Sequence, residues 1–153
     1  MFLTHCKNKC PNDKSVESLI HRYILKNAVR SRGYSVDLAC AAEQMKALRN
    51  FFRVSSVKRV LYFRVTFLEY ESVRLTADRA EKIAQGVCEE YSDEYQIVYG
   101  VHYFGLRWYL HIVLNPVNMY TGEILEMDAC ERGMLEAYLV SHSGFDKIST
   151  YIE

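Results

Sequence analysis

His102, Tyr109 and His111 stand on either side of Gly105 at a spacing that can bring them together. Gly105 offers a turn, and residues 96–103 and 108–114 flank it with β-branched and aromatic side chains, the composition of two paired strands. Folding the chain at residues 105 and 106 sets His102 opposite Tyr109 or His111. Alternation along a strand puts Tyr109 and His111 on one face, so three candidate metal ligands converge. Imidazole nitrogens suit divalent transition ions such as Mn²⁺, with water and phosphate oxygens filling the remaining positions. Taken alone, such a hairpin also reads as a sheet with two ordinary hydrogen-bonded histidines.

The elements that must position this hairpin follow from periodicity. Residues 2–6 read as a short strand, residues 8–12 as a loop and residues 16–26 as a helix with Leu19, Ile20, Tyr23 and Ile24 at helical spacing, which alone places Tyr23 in the core. Ser31-Arg32-Gly33 reads as a turn in a linker, residues 34–36 as a brief extended piece, and residues 38–53 as a helix that Asp37 caps. Residues 59–69 alternate, with Val60, Tyr62, Arg64, Thr66 and Leu68 on one face and Leu61, Phe63, Val65 and Phe67 on the other, the pattern of a central strand. Thr76 caps a helix that runs to about residue 91, and residues 128–141 form a last helix. The expected architecture is α+β: one antiparallel sheet with its helices packed mainly on one face and the other face open.

Composition bounds the function. At 153 residues, half of them hydrophobic, the chain is one domain's worth and can bury a sizeable core. Its apolar runs fall short of the ~20 residues that span a bilayer, and Lys7, Lys9 and Pro11 interrupt any signal-like segment, so a cytoplasmic protein with no membrane partner is expected. Five scattered cysteines suit a reducing compartment. His5, Cys6 and Cys10 lack the second ligand pair of a structural zinc site. Net charge is zero but uneven: residues 1–60 carry 12 Lys or Arg against 4 Asp or Glu, leaving 7 against 15 in the remainder. A basic N-terminal part can follow a nucleic-acid backbone, and 12 tyrosines and 7 phenylalanines can offer stacking surfaces for unpaired bases.

In order and spacing, the chain from about residue 15 to residue 153 resembles the relaxases, or mobilisation nucleases, of the HUH endonuclease family. His102 fits the first histidine of the family's metal motif, and His111-Ile112-Val113-Leu114-Asn115 fits its last histidine and strand, followed by Asn118 and a Thr121-Gly122-Glu123 turn. Tyr109 stands where the middle histidine would be, and Phe104 where an acidic residue would be. Ser35-Val36-Asp37-Leu38-Ala39, Gln44-Met45, Gln96-Ile97-Val98 and residues 144–148 are similar to other segments of the family. Thr66-Phe67 with Glu71 looks like a further strand end, without its glycine. Leu19 to Asn27 is similar to the Tyr-Ile-x-Asn segment that carries the family's nucleophile, which makes Tyr23 the nucleophile.

The resemblance implies a single relaxase-like nuclease domain over residues 1–153, with Tyr23 and Glu71 catalytic and His102, Tyr109 and His111 around a divalent metal, Mn or Mg. Arg22, Lys26, Arg30, Arg32 and Arg107 would bind single-stranded DNA at a transfer origin. It further implies nicking and strand transfer through a phosphotyrosyl intermediate in plasmid or mobile-element mobilisation, alongside other mobilisation proteins. Because a phenol ligates poorly unless deprotonated, the alternative is a catalytically inactive relaxase-fold DNA-binding protein. The chain is expected to be a stand-alone or truncated copy, without the helicase or primase regions that often follow this domain.

Overall fold

Alternating large side chains over residues 61–66 and 97–114 build the centre of a six-stranded sheet. The computed structural model describes residues 1–7, 10–54 and 58–153. Its strands are β1 (Phe2–His5), β2 (Arg30–Tyr34), β3 (Leu61–Thr66), β4 (Ile97–Phe104), β5 (Arg107–Leu114) and β6 (Ser149–Ile152), in the order β2-β4-β5-β3-β1-β6. The helices are α1 (Asp13–Glu17), which continues as a π-helix (Ser18–Leu25), then α2 (Ala41–Phe51), α3 (Glu69–Ser72), α4 (Ala77–Glu89) and α5 (Ala129–Ser143). Thr76 accepts a hydrogen bond from the Arg79 amide as the cap of α4, and Asp37 accepts one from Ala39 at a 3-10 turn (Leu38–Cys40) leading into α2. The loop expected over residues 8–12 lies partly outside the described residues.

The α+β class expected from sequence holds, and it differs from the expectation in two ways. The sheet is mixed, because β6 runs parallel to β1 while every other neighbouring pair is antiparallel. Helices also lie on both faces. Leu61, Phe63 and Val65 with Tyr99, Leu110 and Ile112 pack against Ile83, Val87, Leu135 and Leu139 of α4 and α5. On the opposite face Tyr62, Val98 and Val113 pack against Ile20 and Ile24 of the π-helix and Ala41 and Met45 of α2. The second face carries its own apolar side chains, which water would not stabilise, so helices cover that part of it and leave the polar part open. Ser31-Arg32-Gly33, read as a turn, is instead the middle of β2, paired with Tyr99 and its neighbours in β4. An edge strand is held by backbone hydrogen bonds and needs little apolar signal in its side chains.

His5 lies on the α4/α5 side, 2% exposed, against the Phe63 ring at 4.9 Å between centroids. Its Nδ1 has no hydrogen-bond partner among the described residues. Burial first, and then the charges of Lys7, Lys58 and Arg132, lower its pKa to about 4. The unfolded chain binds a proton on His5 below the ordinary value of ~6.5, whereas the folded chain does so only below about 4. The stability from neutral His5 is therefore complete above the upper value and is lost as pH falls through the lower one. Unfolding free energy should drop by roughly 3 kcal/mol across this window, and His5→Phe should flatten the slope. Urea denaturation of both proteins at either end of the window checks this; identical slopes would count against it.

Candidate active site

Gly105 and Leu106, at φ 57° and 63°, both take the left-handed conformation that a two-residue hairpin turn of the twisted type requires. The turn sets the register: His102 pairs with Tyr109, and Gly100 with His111. On the other side of β5, Tyr109 pairs with Thr66 and His111 with Arg64. Of the two pairings open at the sequence level, the structure takes His102 opposite Tyr109. His111 then sits diagonally, with its ring centroid 4.3 Å from that of His102, and both imidazoles are buried.

Tyr23 reaches this pair from the π-helix. Leu19, Ile20 and Ile24 turn into the core as the helical spacing predicts, but Tyr23 is 45% exposed and points along the sheet surface. Its ring meets His111 and His102 edge-on, at 5.4 and 5.9 Å between centroids. One hydrogen bond to the sheet, one within the helical segment and one missing side chain set the helix here. His102 Nε2 lies 2.8 Å from the Ile24 carbonyl oxygen, and Asn27 Nδ2 donates to the Tyr23 carbonyl. Gly100 lies under the helix, where an added Cβ would come within 2.5 Å of Ile24 Cγ2. Gly100→Ala should therefore cost about 1–3 kcal/mol by overpacking and lift Tyr23 from the imidazoles. A displacement of ~1 Å at a reacting group can lower rate ~100-fold. A thermal melt read beside adduct formation with DNA checks it, and unchanged values in both would contradict the close fit.

The cleft at the junction measures about 410 Å³. Tyr23 and Asn27 line it on the helix side, Arg64, His102, Tyr109 and His111 form its floor, and Tyr103 and Phe104 form its rim. A shallower groove of about 500 Å³, lined by Asn12, Lys14, Ser15 and Leu19, continues from the other side of Tyr23. Below the floor, Tyr62 Oη lies 2.7 Å from His111 Nδ1, and burial raises the Tyr62 phenol pKa above its ordinary value.

Several residues singled out from sequence are not brought to the cleft. Glu71 is buried elsewhere, with Oε1 2.7 Å from the amine of Met1 and Oε2 accepting from the Leu68 amide, so it acts as a structural anchor. Arg30 and Arg32 share the register of Val101 and Tyr99 and so face the α4 side. There Arg30 pairs with Asp78 and Glu81, and Arg32 lies over the Tyr34 ring. Arg107, at the hairpin tip, is paired with Glu69 at 2.9 Å. Arg22 and Lys26 are exposed on the helix flanking Tyr23. Arg64 and Tyr62 were missed as site residues although their signal was present: they share one face of an apolar strand, and polar groups repeated on one face of a central strand mark a site.

The donor set does not fit a tightly held divalent ion. The floor offers two imidazoles, a phenol and the Arg64 guanidinium, and one nitrogen of each imidazole is already hydrogen-bonded. Among the described residues no three His, Cys, Asp or Glu side chains are grouped to hold a metal. A catalytic site of the zinc type takes three protein ligands, and a magnesium site takes carboxylates, neither of which this floor supplies.

An α+β sheet that presents paired imidazoles, a cation and an edge-on phenol in one open cleft defines a candidate phosphoryl-transfer site. The family model for the nuclease domain of MobA/VirD2-like relaxases matches residues 23–138, a span that runs from Tyr23 through the hairpin into α5. The chain belongs to the relaxase family, whose nuclease domains nick DNA in mobilisation and are generally metal-dependent. No curated protein and no solved structure matches the chain. No helix among the described residues is long and apolar enough to cross a membrane.

Proposed function

We propose that residues 1–153 act as one nuclease domain that cuts and rejoins single-stranded DNA at a transfer origin, with Tyr23 as nucleophile. The observation that carries this reading is the Tyr23 phenol, edge-on to two imidazoles that come from a distant part of the chain. Attack by Oη on a phosphodiester forms a new phosphorus–oxygen bond as the bond to the leaving deoxyribose oxygen breaks. The phenolic proton passes to a base, and the leaving oxygen takes up a proton. The phosphotyrosyl ester conserves the bond, so attack by a free DNA hydroxyl reverses the step and rejoins or transfers the strand. A phenol of ordinary pKa ~10 is a poor nucleophile at neutral pH, and a neutral imidazole supplies the base it needs.

Arg64 supplies charge for the phosphate. Its pairing with Glu153, at 3.3 Å, is partly exposed, and such pairs contribute only ~0–1 kcal/mol, so the guanidinium can exchange carboxylate for phosphate. Arg22 and Lys26 add positive charge beside Tyr23. At the rim, Phe104 is 79% exposed and Tyr103 is half-exposed, aromatic surfaces on which unpaired bases stack. Phe104→Ala should weaken binding of single-stranded oligonucleotides by about 1–3 kcal/mol without lowering the melting temperature, as fluorescence anisotropy beside a thermal melt would record. The setting is the cytoplasm, on plasmid or mobile-element DNA, with other mobilisation proteins as partners.

Tyr109 at the position of a third imidazole favours the second reading, a relaxase-fold protein that binds DNA without cleaving it. Incubation of labelled single-stranded DNA from a random-sequence pool, with and without Mn²⁺ or Mg²⁺, separates the two. A covalent protein–DNA adduct supports cleavage, salt-sensitive binding without adduct supports the second reading, and no binding overturns both.

A further inference from the structure

We infer that Tyr62 is a positioning residue that holds His111 as the Nε2–H tautomer, making the two cleft imidazoles an unlike pair in which His111 donates and His102 accepts. Tyr62 is 2% exposed, and its ring plane lies within 21° of that of His111 with centroids 6.0 Å apart. Among the described residues, the hydrogen-bond partner of its Oη is His111 Nδ1. A buried O–H needs an acceptor. Were Nδ1 the donor instead, the Tyr62 hydroxyl hydrogen would be left buried without a partner, at a cost of about 1–3 kcal/mol. Nδ1 of His111 is therefore the lone-pair nitrogen and Nε2 carries the hydrogen.

His102 is the same tautomer but is held by its other nitrogen, so the unlike atom is left for the cleft. Its Nε2 lies 2.8 Å from the Ile24 carbonyl oxygen, which can only accept, so Nε2–H donates and the neutral ring keeps its lone pair on Nδ1. On the strand-cleavage reading, on which this role rests, His102 Nδ1 is the nitrogen able to take the phenolic proton of Tyr23. His111 Nε2–H is the group able to donate to a phosphoryl oxygen as negative charge builds on it. The same arrangement opposes a metal ion, because the lone pair of His111 is already taken by the Tyr62 hydroxyl.

Long-range ¹H–¹⁵N correlation of the imidazoles, at a pH about 1.5 units above the ordinary value of ~6.5, tests the tautomers directly in the full chain. The expected result is His111 protonated at Nε2 in the wild type and a shift toward mixed tautomers in Tyr62→Phe, which keeps the ring and removes the hydroxyl. His111 protonated at Nδ1 in the wild type, or the same tautomer in Tyr62→Phe, would overturn the inference. Should Tyr62→Phe fail to fold, the wild-type assignment alone decides. Adduct formation should be about 10-fold slower or worse in Tyr62→Phe with DNA affinity retained. A wild type with the expected tautomers but no adduct removes the cleavage reading and leaves the positioning role of Tyr62 standing. An adduct with the opposite tautomer removes the Tyr62 role alone.

Discussion

Tyr23→Phe is expected to abolish the covalent adduct with single-stranded DNA, a loss of at least ~10⁴-fold, while the folded protein still binds the strand. The size follows from the role: without Oη there is no atom to bond the phosphorus, and neighbouring hydroxyls sit elsewhere in the cleft. Stability should stay within ~0.5 kcal/mol of the wild type, since Tyr23 is 45% exposed and its ring contacts with the imidazoles survive in phenylalanine. Denaturing gels with end-labelled DNA read the adduct, and peptide mapping locates it. Tyr103 and Tyr109 line the same cleft. An adduct that persists in Tyr23→Phe and maps to either of them would move the nucleophile to the hairpin and remove the role given to the π-helix.

The second large effect is a gain of metal affinity. Tyr109→His places a third imidazole directly across from His102 and two residues from His111 on one strand face. This completes a three-nitrogen set of the kind catalytic ions use. Mn²⁺ affinity should rise at least ~100-fold, close to 3 kcal/mol, measured by calorimetry in the absence of DNA. The Tyr62 hydroxyl still works against the ion, because it occupies His111 Nδ1 and so keeps the hydrogen on Nε2. Tyr109→His combined with Tyr62→Phe should therefore bind more tightly again, by the ~1–3 kcal/mol that an unpartnered buried hydroxyl costs. Equal Mn²⁺ affinity in the wild type and both variants would mean that donor number and tautomer do not limit binding.

The hairpin, the central strand β3, the cap of α4 and the Asp37 cap of the 3-10 turn before α2 were legible because their signals are local. A turn glycine with strand-forming neighbours, an alternation of period two, and a side-chain acceptor beside the first free amides each act within a few residues. β2 was not legible: Ser31, Arg32 and Gly33 carry turn-forming chemistry, and their strand state comes from the edge of β4 that they cover. β6 is likewise held by its pairing with β1. Helical periodicity correctly buried Leu19, Ile20 and Ile24 but took Tyr23 with them. In a π-helix each residue's angular position departs from the regular 100° step, so the phenol swings out of the apolar stripe. Glu71, matched to a catalytic position by motif, is claimed by the amine of Met1, a contact that motif spacing does not register.

Residue order alone thus determined that an antiparallel hairpin would carry His102, Tyr109 and His111 within reach of one another. Tertiary structure alone decided that Tyr23 meets them, that Tyr62 occupies Nδ1 of His111 while the Ile24 carbonyl occupies Nε2 of His102, and that Arg30, Arg32 and Glu71 lie elsewhere. The reason is range: Tyr62 and His111 are 49 positions apart and Ile24 and His102 are 78 apart. Such pairs are set by strand order and by which helix covers which part of the sheet, and both follow from burying apolar surface over the whole chain.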